Sequence, residues 1–140
     1  MSVAPVVVLD TNIVLDLWLY QDPAVPPLRD ALQQGQVRWL STPVMREELA
    51  RVLAYPHIAA RLAARPQEAQ AVLDAFDAHV QVQADAPRAS YVCKDVDDQK
   101  FVDLAAAHQA VLLSKDKAVL TLRNRLARVG VTVAKVWPAV

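Results

Sequence analysis

Four acidic residues in this chain occupy positions from which chemistry is done: Asp10, Glu48, Asp98 and Asp116. Asp10 ends an apolar strand, Asp116 follows another, Asp98 opens the helix that leads into that second strand, and Glu48 lies about two turns into a helix. In a parallel sheet the carboxyl ends of the strands share one edge, so Asp10 and Asp116 stand together there and the other two can lean into the same pocket. No basic residue is matched to the four in the sequence. Like charges brought so close repel unless divalent cations neutralise them, and hard oxygen donors select Mg²⁺ or Mn²⁺. Such a cage suits two-metal chemistry on a phosphodiester. Helix capping explains each aspartate taken singly. It accounts less well for three at one edge with a glutamate beside them.

The elements that must position these acids are legible as alternating strands and helices. Val6 to Leu9 is a continuous apolar run, the pattern of a strand buried on both faces. Ile13 to Leu19 reads as a short helix, and Asp22-Pro23 as the cap and first turn of a helix closing at Gly35. Val37 to Leu40 is a second strand. Thr42-Pro43 opens a helix with Val44, Met45, Leu49, Val52 and Leu53 on one face. His57 to Ala64 and Pro66 to Ala78 read as helices, Val80 to Val82 as a short strand, and Ala84 to Val96 as the longest connection. Asp97 or Asp98 caps a helix reaching about His108. Val111 to Leu113 is a strand, Lys117 to Arg128 an amphipathic helix stopped by Gly130, and Val131 to Val136 a last strand. Order and composition predict one domain over residues 1–140, a three-layer α/β/α fold on a central parallel sheet.

Composition narrows the function classes. A chain of 140 residues, 54% hydrophobic, can bury one substantial core. No apolar run is long enough to span a bilayer and no secretory leader is recognisable, so a cytoplasmic protein without membrane association is expected. Cys93 is the single cysteine, which precludes an internal disulfide and suggests an inert thiol. Two glycines, Gly35 and Gly130, exclude a glycine-rich phosphate loop. Fifteen basic and fifteen acidic residues cancel, yet Ser114 to Lys135 carries net +5 and Asp95 to Asp103 net −3. An acidic centre beside a basic flank suits metal ions and a phosphate backbone. His57, His79 and His108 read as structural or surface residues, and Trp18, Trp39 and Trp137 as core or interface anchors rather than base-stacking platforms.

The motifs resemble the PIN domain family. The resemblance is carried by Val7-Val8-Leu9-Asp10-Thr11-Asn12, the helix with Glu48-Leu49 and Val52-Leu53, Asp95 to Phe101 with Ala105 beyond, and Ser114-Lys115-Asp116. These run in family order from Val6 to Leu120, and the chain looks most like the toxin branch of toxin–antitoxin systems, similar to VapC-type ribonucleases. The resemblance implies a Mg²⁺- or Mn²⁺-dependent endoribonuclease with Asp10, Glu48, Asp98 and Asp116 as both metal ligands and catalytic acids. It implies that Thr11 and Asn12 orient Asp10, and Ser114 likewise Asp116, by hydrogen bonds. It also implies an RNA substrate, and allows an antitoxin protein and a homodimer as partners. Glu48 is preferred over Glu47 because it directly precedes the leucine of the motif, and Asp98 over Asp97 because it stands three before Phe101. Asp95 and Asp103 are assigned to the periphery.

Two positions depart from the family pattern. Val96 replaces a frequent proline, and Lys115 replaces a small residue, where it could contact a phosphate or stand in for part of a metal's charge. Other α/β folds with a strand-terminal Asp fit less well. A phosphatase with an aspartyl nucleophile needs a second Asp where Asn12 stands, a receiver-like domain wants adjacent acids in its first loop, and neither accounts for Glu48. A PIN scaffold without turnover, acting as an RNA- or protein-binding module, is the alternative function.

Overall fold

The computed structural model describes residues 4–138. Five strands, β1 (Val6–Leu9), β2 (Arg38–Ser41), β3 (Val80–Val82), β4 (Val111–Leu113) and β5 (Thr132–Ala134), form one sheet in the order β3-β2-β1-β4-β5. Every pairing is parallel. The chain therefore builds outward from β1 in one direction, then returns to its other side with β4. The crevice where strand order reverses lies between β1 and β4, the two strands that deliver Asp10 and Asp116.

Strand side chains alternate between two cores, which makes the domain three-layered. Val7, Leu9, Trp39 and Leu113 face one layer, with Leu49 and Leu53 of α3 (Pro43–Leu53) and Phe76 of α5 (Gln67–His79). Val8, Leu40, Leu112 and Val133 face the other, with Phe101 and Leu104 of α6 (Gln99–His108) and Leu126. In register, Val8, Leu112 and Val133 sit side by side across three strands, all buried. Trp39 is a core residue packed edge-on against Phe76, as the sequence suggests. Cys93 is a buried free thiol, and burial pushes its pKa up. Among the described residues no helix is long and apolar enough to cross a membrane.

Three helices differ from their sequence expectation, each for a local reason. The helix after β1 starts two residues early as α1 (Thr11–Leu15), because the Asp10 side chain caps it at the Ile13 N–H, and it widens into a π-helical turn over Asp16–Tyr20. The Asp22-Pro23 start is incorrect. Asp22 instead accepts from the Ala24 N–H in a turn, and α2 runs from Pro26 to Gln33. A helix begun at Pro23 would place Pro26 and Pro27 where intrahelical N–H donors are already required, so the prolines move its start to themselves. The expected Lys117 to Arg128 helix is two, α7 (Lys117–Leu120) and α8 (Arg123–Ala127). At the break, Thr121 Oγ1 donates to the Ala118 carbonyl at 2.9 Å, offering the backbone an alternative to continued helix. The remaining helix, α4 (Pro56–Leu62), begins at its proline.

The sheet's central layer is where packing stabilises most. Leu112→Ala should destabilise the domain by about 2–5 kcal/mol, because a fully enclosed side chain leaves a cavity that flanking strands cannot fill. Val136→Ala, at an exposed position, should stay within about 0.5 kcal/mol of wild type. Urea unfolding curves of the two variants measure both.

Candidate metal centre

Asp10, Glu48, Asp98 and Asp116 all line one open cavity of about 290 Å³ at the carboxyl edge of β1 and β4. Each arrives there on a different element. Asp10 follows β1 and is almost fully buried. Its Oδ1 accepts from the Ile13 N–H at 2.9 Å, and its Oδ2 accepts from the Ser114 hydroxyl, which comes from the adjacent strand end. Ser114 also accepts from the Asp116 N–H at 3.1 Å, so one buried hydroxyl ties the β1 and β4 termini together. Burial raises the Asp10 pKa most strongly. The two hydrogen bonds oppose it, and the charges of Asp116 and Asp16 add to it.

Asp116 caps α7 through Oδ1, which accepts from the Ala118 N–H at 2.8 Å. Asp98 occupies the cap position of α6 but makes no capping bond. Its Oδ2 is buried without any hydrogen-bond partner, a condition that ordinarily costs about 1–3 kcal/mol or more for a charged group. The Asp98 carboxyl is accordingly pushed up to about 7, first by burial, then by the charges of Asp116, Asp95 and Asp10. Carboxylate oxygens of Asp95, Asp98 and Asp116 lie within 4.8 Å of one another, close enough to hold one cation. Capping thus accounts for one oxygen each of Asp10 and Asp116, and for none of Asp98.

Asp95 is the residue that sequence reasoning put at the periphery and the structure places in this cluster. Its position is fixed by the loop that carries it. Gln99, buried at the start of α6, accepts from the Cys93 N–H at 2.6 Å and donates to the Tyr91 carbonyl at 3.2 Å and to Asp103 at 2.7 Å. Asp103 in turn accepts from the Ala89 N–H at 2.8 Å. Asp95 Oδ1 accepts from the Asp97 N–H at 3.0 Å, which turns the chain toward α6. A signal was present in the sequence, since Asp95 sits three residues before Asp98, but only the pinned loop brings it inward.

The expectation that the four acids have no basic partner is incorrect for Glu48. Lys100 Nζ donates to Glu48 Oε1 at 2.7 Å, a long-range ion pair from α6 to α3, and Thr11 Oγ1 donates to Glu48 Oε2. Thr11 therefore orients Glu48 and not Asp10. Asn12 lines the cavity with an exposed side chain, and the Asp10 oxygens are held by Ile13 and Ser114 instead. Glu47 points to solvent, outside the cavity lining. Lys115 pairs with Asp16 of the π-helical turn, which raises the Lys115 pKa and engages its charge within the protein. His57, read from sequence as a surface residue, is exposed and also lines the cavity.

The family described as PIN domain matches residues 6–118, from the first residue of β1 into α7. No curated protein matches the chain.

Asp98 supplies a pH test. Its folded pKa lies above the ordinary carboxylate value, so the native state binds the extra proton between roughly pH 4 and 7, and stability is lost as pH rises through that window. Above it the charged, unpartnered carboxylate is a net liability in the metal-free protein. Asp98→Asn should therefore raise metal-free stability at pH 8 by about 1–2 kcal/mol, a figure discounted for partial exposure, with little gain at pH 4. Thermal melts in EDTA at the two pH values read this out, and an Asp98→Asn variant that melts lower than wild type at pH 8 would make Asp98 a structural residue.

Proposed function

The chain belongs to the PIN domain family, and on that premise we propose that it is a divalent-metal-dependent endoribonuclease that hydrolyses RNA phosphodiester bonds. PIN domains are generally metal-dependent nucleases that bind RNA. The observation that carries the reading is the cluster of Asp95, Asp98 and Asp116, whose carboxylate oxygens lie within 4.8 Å of one another and in which Asp98 Oδ2 is buried with no donor. A cation is the group that satisfies three such oxygens at once, and their hardness fits Mg²⁺ or Mn²⁺.

Asp98, Asp116 and Asp95 would hold that ion, with Asp10 and Glu48 completing the acidic set around the cavity. When bound, a divalent ion there supplies Lewis acidity toward a phosphodiester oxygen and acidifies water for in-line attack. The chain's own residues do the rest. Ser114 and the Ile13 N–H fix the Asp10 carboxylate, so that it reorients little as charge develops at the phosphate. Thr11 and Lys100 hold Glu48 against the cavity wall and neutralise it. The exposed lysines and arginines from Lys115 to Lys135 supply positive charge for the RNA backbone, apart from Lys115, which Asp16 engages.

The toxin role in a type II toxin–antitoxin pair rests on the motif resemblance, and a small DNA-binding protein encoded beside this chain would support it. A second reading, a PIN scaffold that binds RNA or protein without turnover, is favoured by one observation. Lys100 already neutralises Glu48, which weakens any second ion in a two-metal arrangement.

Cleavage assays separate the two. Purified protein should cut single-stranded RNA with Mn²⁺ or Mg²⁺ and lose that activity in EDTA. Asp98→Asn and Asp116→Asn should each lower the rate by about a thousandfold. RNA binding without cleavage supports the scaffold reading, and cleavage equal in wild type and variants purified identically assigns the activity to a contaminant.

A further inference from the structure

The cavity has a second wall that the carboxylate chemistry does not use. Tyr20, Tyr55 and His57 line it together with the acids. Aromatic side chains in this domain are otherwise placed for packing. Trp39 and Phe101 are fully enclosed, and Phe76 is buried. Tyr20 and Tyr55 are 40% and 45% exposed, and they are the two aromatic residues among the large hydrophobic side chains left exposed in the described part of the chain. Both border the same cavity, which core packing does not explain.

The rings flank α4, Tyr55 and His57 at its start and Tyr20 against its last turn. Tyr55 immediately precedes its first residue, His57 is in its first turn, and the Arg61 guanidinium of the next turn lies 5.0 Å from the centre of the Tyr20 ring. The Tyr55 and His57 rings are 6.5 Å apart at an angle of 46°. Tyr55 is also held in place. Pro56 restricts its backbone to the extended region it occupies, its N–H donates to the Val52 carbonyl at 3.0 Å, and its own carbonyl accepts from Ile58 and Ala59. A ring on so fixed a backbone loses little conformational freedom when a ligand covers it.

We propose that Tyr55, with Tyr20 beside α4, stacks an unpaired base of single-stranded RNA next to the phosphate that the carboxylate cluster cleaves. Every base offers a π-face to an aromatic ring, and an arginine alongside supplies the positive charge that a ribose–phosphate strand needs. A base in a duplex is already stacked on its neighbours and cannot use the subsite. The enzyme therefore prefers unpaired strands, and the ring wall sets which side of the scissile bond is gripped. This inference rests on the nuclease reading for its placement beside a cleaved bond, but the stacking itself is measurable without turnover.

Fluorescence anisotropy provides the test, using a labelled eight-nucleotide single-stranded RNA, its duplex form and an abasic ribose–phosphate strand of equal length, with Ca²⁺ as the cation. Tyr55→Ala should weaken binding of the single strand by about tenfold, whereas Tyr55→Phe and Tyr55→Trp stay within about twofold of wild type. Duplex and abasic strands should bind wild type and Tyr55→Ala alike. In Mn²⁺, Tyr55→Ala should raise KM more than it lowers kcat. Equal single-strand binding by wild type and Tyr55→Ala overturns the subsite and leaves the rings to a protein partner. Equal weakening of the abasic strand also overturns it, by making the ring structural. Ring-dependent binding without cleavage keeps the subsite and removes the nuclease reading. Cleavage with ring-independent binding does the reverse.

Discussion

Negative charge held in a half-dry crevice at the ends of two neighbouring parallel strands is the constraint on which this domain depends. A parallel sheet makes the crevice, because its strand ends share an edge and its order reverses between β1 and β4. The cost of placing carboxylates there is then met locally. Asp10 takes a helix N–H and the Ser114 hydroxyl, and Asp116 takes a helix N–H. Asp98 takes neither, and its carboxyl, like that of the more deeply buried Asp10, is pushed up by burial and by its acidic neighbours. Asp10 and Asp116 are anchored by hydrogen bonds while Asp98 Oδ2 is left without one, an arrangement in which local cost is tolerated by a well-packed surround.

Two lysines define how far that imbalance extends. Lys100 neutralises Glu48 on one flank and Lys115 neutralises Asp16 on another. Both pairs join elements distant in sequence, α6 to α3 and the β4–α7 turn to the π-helical turn. They brace the rim of the crevice mechanically while cancelling its outer charges. The uncompensated charge that remains is confined to Asp95, Asp98 and Asp116, with Asp10 beneath. A divalent ion entering the crevice would meet a compact carboxylate cluster instead of a diffuse acidic surface, and would displace the proton that the raised Asp98 carboxyl otherwise holds.

Much of this was readable from residues that obey local rules. Val6 to Leu9 and Val111 to Leu113 have no polar residue to interrupt a doubly buried strand, and both strands form at those bounds. Thr42-Pro43 opens α3 as a cap and first-turn proline should, with Thr42 accepting from the Met45 N–H. The convergence of Asp10, Glu48, Asp98 and Asp116 on one cavity follows from the same strand order. What was illegible depended on side chains reaching across the fold. The Lys100 to Glu48 pair spans 52 positions, and Thr11 to Glu48 spans 37, so neither leaves a periodic trace in sequence. Tyr20 and Tyr55 carry no motif, and their common cavity exists only once α4 packs beside the π-helical turn. The Asp22-Pro23 expectation failed because two stronger punctuators, Pro26 and Pro27, stood three residues further on.

Asp95 shows why the loop before α6 belongs to the site and is not merely a connection to it. A sixteen-residue stretch without helix or strand, from Gln83 to Asp98, would ordinarily place its residues loosely. Here Gln99 and Asp103, on one face of the first two turns of α6, bind the loop backbone at Cys93, Tyr91 and Ala89. Those bonds satisfy backbone groups where the loop docks on α6 around the buried Cys93, so the order they impose costs little beyond the chain's own entropy. Asp95 is thereby presented to Asp98 and Asp116 before any ligand arrives, against their mutual repulsion. A cluster assembled by the ion would have to order the loop at the moment of binding and would bind more weakly for it. A cluster already assembled would spend its binding energy on the ion alone, which would make Gln99, a residue outside the cavity lining, as much a determinant of a metal centre there as the aspartates it sets in place.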